Sequence, residues 1–308
     1  MRFSFWIGNS HSTDEILRSG RRAAETGWDG LWFADHFMPF TGAPDGPIHE
    51  VWSTLSALAV VTDGFTSPAT GEGVRLGPLV CGNTYRHPAV LLKQAVTTDH
   101  LAKGRVVLGL GAGWQENEHL AYGLEFGSFT DRFERLEEAL QVIRGLLGDT
   151  PFSFGGERYH TVDAPLSPAP VGSLPILLGG GGEKKTLRMV AQYADEWNVW
   201  GEPDLMAQKG SVLDQHCERL ERDPAAIARS AVALLFLTDS EADAAAIRDR
   251  GLPRPSMVGT PAQLRDQMAA YVEAGVDEVI VPDFTLGDGA AKDEALDRFL
   301  VEVAADFR

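Results

Sequence analysis

The chain has 308 residues, 44% hydrophobic and 23% charged, a balance that excludes a disordered or fibrous protein. Its 44 acidic against 27 basic side chains leave a formal net charge of −17, and such a surface repels phosphate backbones and anionic lipid headgroups, so neither nucleic acid nor a membrane is an expected partner. No apolar run approaches the roughly 20 residues of a membrane span. The opening Met1–Ile7 lacks the features of a secretory signal, and Cys81 and Cys217 make no disulfide framework, so a reducing, cytoplasmic setting is expected.

Short apolar runs alternate with stretches of helical period, the pattern of parallel βα units. Strands are expected near 2–7, 28–33, 74–80, 106–110, 174–178, 196–199, 231–237 and 278–282, and eight is the number that closes a (β/α)8 TIM barrel of the α/β class. The first intervening helix opens on Ser12-Thr13-Asp14-Glu15, a capping-box pattern, with Ile16, Gly20, Ala23 and Ala24 on one face. Pro88 suits a first helical position before Leu92, Ala95 and Val96. Phe133, Leu136, Leu140, Ile143 and Leu147 form a longer stripe ending at Gly148, and Leu187, Val190, Ala191 and Ala194 another. Thr260-Pro261-Ala262-Gln263 combines a cap, a first-turn proline and a capping-box glutamine; the last helix buries Leu296, Phe299, Leu300 and Val303. Two stretches, about 149–172 with a hairpin turning at Gly155-Gly156 and about 238–257 around Gly251, break the rhythm and are expected as insertion loops at the mouth of one domain spanning 1–308.

A parallel barrel carries its site where the strands end, so the residues following each strand belong together. Asp35-His36 follows the second strand, a carboxylate and an imidazole suited to hydrogen bonding and proton transfer. After the third, Cys81 reads as a small wall residue and His87, before Pro88, as part of a helix start. Gly109-Leu110-Gly111-Ala112-Gly113-Trp114 follows the fourth; its glycines let backbone approach a flat ligand, and its spacing is not the dinucleotide fingerprint. Gly179 to Gly182, before Glu183-Lys184-Lys185, would place successive N–H groups at a helix N-terminus, an anion site for a phosphate. The eight histidines show no metal-ligand spacing, so no metal is expected. Glu116 and Glu118 read as the solvated face of a short helix.

Together Trp32 to Phe37, Asn83 to Ala89, Gly104-Arg105-Val106 with Leu108 to Trp114, and Gly179 to Leu187 resemble the luciferase-like flavin and deazaflavin oxidoreductases, specifically the branch that uses coenzyme F420. The resemblance covers almost the whole chain. It implies a barrel with the cofactor ring across the strand ends, Asp35 bonding the ring, and His36 beside the hydride-transferring carbon. It also implies a third-strand bulge with a non-proline cis peptide at Leu79-Val80, contacts from Gly82, Gly111, Gly113 and Asn117, phosphate on Gly180, Gly181 and Gly182, with Lys184, Lys185 and Arg86 close by, and a homodimer. Sugar-phosphate dehydrogenases of the family have an acidic residue where this chain has Trp114, so a hydrophobic or aromatic substrate is expected, against Trp6, Phe40, Trp114 and Trp200. The implied activity is hydride transfer between F420 and a small substrate; the alternatives are an FMN-dependent monooxygenase using reduced flavin and oxygen, and a non-catalytic cofactor-binding protein.

Overall fold

A computed structural model describes residues 1–40, 42–148 and 150–308; Asp149, where the first expected insertion begins, lies outside the described residues. The barrel strands are β1 (Arg2–Ile7), β2 (Gly30–Phe33), β3 (Arg75–Pro78), β4 (Leu108–Gly111), β5 (Ile176–Gly179), β6 (Glu196–Trp200), β7 (Ala228–Val232) and β8 (Glu278–Pro282). Each pairs in parallel with its neighbour from β4 round through β8 and β1 to β3. At the remaining seam β3 passes through the cis Leu79–Val80 peptide and resumes as Cys81–Gly82, which pairs with β4; a Leu76–Val106 bridge joins the lower part. This seam is tight: a Cβ on Gly77 would overlap the Val107 carbonyl and one on Gly109 that of Pro78, so glycine is required where the two backbones meet.

Alternation along the strands divides two cores. Phe3, Phe5 and Ile7 of β1 join the larger core under the helices, while Trp6 faces the lumen with Trp32, Leu79, Val107, Leu177, Val232 and Ile280. The N-terminal end of the lumen is closed by charge: Arg75 bridges Glu196 and Glu278, Arg2 reaches Glu278 at 3.1 Å, and Trp32 Nε1 donates to Glu278 at 2.9 Å.

The helices start where their caps place them. Thr13–Thr26 follows Ser12, Pro88–Leu101 follows His87, Phe129–Leu147 follows a Ser128/Asp131 capping box, and Pro261–Glu273 follows the Thr260/Gln263 box. At Ser12 only half the expected box forms, because the Glu15 carboxylate turns to Arg18, Ser19 and Lys292. A hairpin, Phe152–Gly155 with His160–Ala164, occupies the first insertion. The second expected loop is corrected. The apolar run 231–237 is two strands: the chain leaves the barrel after β7, and Leu234–Leu237 pairs in parallel with Ser256–Gly259 across the helix Glu241–Arg248. The continuous apolar run hides this change of partner, and a helix burying only Ala244 has no stripe to betray it. No described helix is long and apolar enough to cross a membrane.

Candidate active site

β2 ends at Phe33, and the chain then turns through Ala34, Asp35 and His36 at the C-terminal mouth of the barrel. His36 Nδ1 lies 2.8 Å from Glu118 Oε1; Tyr85 OH donates to the same oxygen. The other oxygen, Oε2, accepts the N–H groups of Phe37 at 2.7 Å and Met38 at 3.2 Å. Glu118 has no exposed surface. Burial opposes its ionisation, but the bonds from His36, Tyr85 and the Phe37 amide hold it below the ordinary carboxylate range. The same burial, reinforced by Glu118, pushes the Tyr85 phenol far above its usual value.

Reading Glu118 as solvated is therefore wrong. It lies in the short helix Glu116–Tyr122, where Gln115, Glu118 and His119 are buried and Glu116 and Asn117 are exposed. Counted from Gln115 the buried positions are i, i+3 and i+4, one helical face, and that spacing was the available signal. His119 supports the arrangement, bonding Thr84 Oγ1 at 2.6 Å and the Gln115 carbonyl at 2.7 Å.

Asp35, one residue before His36, is buried at the same strand end. Both its oxygens are taken by Arg86, at 2.7 and 3.1 Å, and Arg86 reaches Glu50 at 2.8 Å. Burial pushes the Asp35 carboxyl up, against the pull of Arg86. Arg86 is thus committed to this pair rather than to the glycine run. Cys81 is buried, and burial pushes its thiol well above the ordinary value, so it is a wall residue and not a nucleophile. His87 caps the helix after it, accepting the Ala89 N–H at 3.2 Å.

Leu79 belongs to the lumen core and Val80 packs against it at the C-terminal end of β3. Cβ atoms on Gly111 and Gly179 would approach Val80 Cγ2 at 2.8 and 3.0 Å, so the missing side chains leave a smooth surface around Val80. Gly82 is shaped by the Tyr85 ring, which a Cβ would overlap, and Gly113 adopts φ +83 against Thr84. Asn117 is exposed nearby on its helix. Beyond β5, Gly180 adopts φ +124, donates its N–H to the Asn198 carbonyl at 2.8 Å and accepts from Trp197 Nε1. The residues Glu183-Lys184-Lys185 form a turn between the glycines and the helix Thr186–Tyr193. Gly180 N–H is consumed, whereas among the described residues no backbone carbonyl receives the N–H of Gly181 or Gly182. Lys184 is exposed, and Lys185 lies 5.6 Å over each of the Phe129 and Phe133 rings.

The four expected aromatic residues fall into two groups. Trp114 packs edgewise on His36 at 5.4 Å and on Phe40 at 4.7 Å, with Trp114 52% and Phe40 60% exposed. Trp6 and Trp200 meet at 5.8 Å, joined by Phe284, which sequence reasoning missed because it follows β8 in a short 3-10 turn. Arg254 lies 4.7 Å above Trp200.

The family of luciferase-like monooxygenases is matched over residues 1–252. The chain belongs to this family. Among relatives of this luciferase-like protein, an F420-dependent glucose-6-phosphate dehydrogenase of Amycolatopsis mediterranei is 35% identical over 184 residues, 58% of this chain and 50% of that enzyme. The chain thus matches about half the length of that relative. Two solved structures share the fold: F420-dependent tetrahydromethanopterin reductase of Methanopyrus kandleri (TM-score 0.80, 17% identity, 100% of this chain and 99% of that one) and an F420-dependent secondary alcohol dehydrogenase in complex with an F420-acetone adduct (TM-score 0.82, 17% identity, 99% and 98%).

Proposed function

We propose that this luciferase-like protein is an oxidoreductase that moves a hydride between coenzyme F420 and a small, largely apolar organic substrate. The observation that carries the reading is His36, held by a buried carboxylate at a strand end and flanked by Trp114, on a barrel whose strand ends also carry the glycines packed against Val80. The smooth surface those glycines leave fits a flat ring system. Asn83 Oδ1, Gln115 Oε1 and Trp6 Nε1 are buried without a partner among the described residues, polar atoms of the kind a bound ligand satisfies. Bound there, the deazaflavin supplies the hydride chemistry. Leu79, Val80, Gly82, Gly111 and Gly113 would hold its ring, Asn117 its chain, and the N–H groups of Gly181 and Gly182 with Lys184 its phosphate. Asp35, held by Arg86, would bond the ring system. His36 holds or accepts the substrate proton, and Trp6, Phe40, Trp114, Trp200 and Phe284 exclude water from an apolar substrate.

The same reading extends to a homodimer packed through barrel helices. It is supported by Val51–Val61, which has no charged residue and leaves Val60 59% exposed. The free, buried Cys81 and Cys217 support a reducing, cytoplasmic setting. Fluorescence titration of the purified protein with F420 and with FMN, followed by turnover with alcohols, carbonyls and activated alkenes, tests the function. F420 binding with turnover is expected; tight FMN binding without F420 binding overturns it in favour of a flavin monooxygenase.

A further inference from the structure

We infer that Glu118 is the positioning residue of His36: it fixes the imidazole tautomer and so makes Nε2 the single atom through which His36 handles a proton. The inference rests on the proposed role of His36 at the substrate. Four groups converge on Glu118, two on each oxygen: His36 Nδ1 and Tyr85 OH on Oε1, the Phe37 and Met38 amides on Oε2. Three of these have no choice of role. Backbone N–H groups only donate, and a phenol held far above its usual value keeps its proton, so the carboxylate acts purely as an acceptor. The fourth partner must then also donate. In the neutral ring the hydrogen sits on Nδ1, and Nε2 carries a lone pair; in the protonated ring Nε2 is the proton to be given. Substrate protons therefore enter and leave at Nε2, while Glu118 holds the ring's orientation and the course of residues 36–38 through the two amides.

The arrangement makes an isosteric substitution decisive. In Glu118→Gln the amide oxygen must remain on the Phe37 and Met38 N–H groups, since turning the NH2 toward them would oppose donors to donors. The NH2 then faces His36 Nδ1 and donates to it, and the ring hydrogen moves to Nε2. His36 now offers a donor where it offered a lone pair. A carboxylate-to-amide exchange behind a catalytic histidine costs on the order of 10⁴ in kcat in a serine protease through the same tautomer reversal. For E118Q a kcat loss of about 10³ or more is expected, with the F420 dissociation constant within about threefold of the parent value.

The decisive readout does not depend on turnover. Nitrogen NMR of the ligand-free protein labelled with ¹⁵N-histidine, with His36→Ala identifying the resonances, is expected to show neutral His36 protonated at Nδ1 in the parent and at Nε2 in E118Q. A parent tautomer protonated at Nε2, an unchanged tautomer in E118Q, or an E118Q kcat within about tenfold of the parent overturns the inference. If F420 proves not to be the cofactor, the spectra still decide the tautomer. If E118Q does not fold, the parent spectrum alone decides it: Nδ1–H sustains the inference and Nε2–H ends it.

Discussion

Removing the His36 imidazole by substitution with Ala takes away the one titratable ring at the strand end that packs on Trp114 and leaves the glycine surface intact. Turnover should fall by about 10² to 10⁴, the ordinary share of a general acid or base, while F420 affinity stays nearly constant; stopped-flow turnover and fluorescence titration read the two separately. A second histidine makes a different prediction. His11 Nε2 lies 2.9 Å from Asp283, whose other oxygen accepts the Gly8 N–H at 3.1 Å, and the bond to Asp283 raises the His11 pKa against the lowering effect of burial. With the folded value above the unfolded value of about 6.5, the pair stabilises the fold fully at lower pH, and that contribution is lost as pH rises through the folded value. The Tm difference between the parent and His11→Asn should be widest near pH 5.5 and close toward alkaline pH. At this scale the sequence showed which residues stand at strand ends, His36 and Asp35 among them, because barrel geometry assigns them by position. It did not show which partner each would choose. Arg86 and Glu118 lie 51 and 82 positions away from Asp35 and His36, so their choice depends on how β2, β3 and β4 sit side by side.

Among the elements, those with a local code were the most legible. Thr260 announces its helix because the cap and its answering Gln263 lie three positions apart and satisfy each other's backbone, and Ser128 with Asp131, not picked out in the sequence, forms the same box. Ser128→Ala, which removes both the Asp131 N–H acceptor and the hydroxyl partner of Asp131, should cost about 1 kcal/mol in urea unfolding without touching cofactor affinity. The seventh strand was misjudged for the opposite reason: nothing in the apolar run 231–237 marks the point at which the chain exchanges β8 for Ser256–Gly259. Glycines of the seam belong to this scale too. Val80 is bounded by Gly109, Gly111 and Gly179, so a methyl group on Gly111 has no space to take. Gly111→Ala should displace Val80 and weaken F420 binding by about fivefold or more, the lower end of the overpacking range, and a fluorescence titration checks it.

For the molecule as a whole, a formal charge of −17 opposes any anionic cofactor at long range, yet the charge is arranged. Most arginines are spent on carboxylates or carbonyls, whereas the N–H groups of Gly181 and Gly182 and the exposed Lys184 stand together beyond β5. Local attraction then competes with global repulsion, and F420 affinity should change by less than about threefold between 50 and 300 mM salt, since exposed charges more than about 10 Å apart are already screened at the lower end of physiological ionic strength. Strong tightening with salt would show the global field in command.

The charged closure beneath the lumen has a kinetic meaning. Arg2, Arg75, Glu196 and Glu278 shut one end of the barrel, and among the described residues Trp6, Trp32 and their aliphatic neighbours fill the lumen above them. In the proposed function both reactants would therefore enter from the C-terminal mouth. The flat cofactor would sit on the glycines around Val80 and the substrate beside His36 and Trp114. With that seating, ordered kinetics are expected, the cofactor first to enter and last to leave; product-inhibition patterns check it, and random binding would show that the two reactants do not block each other.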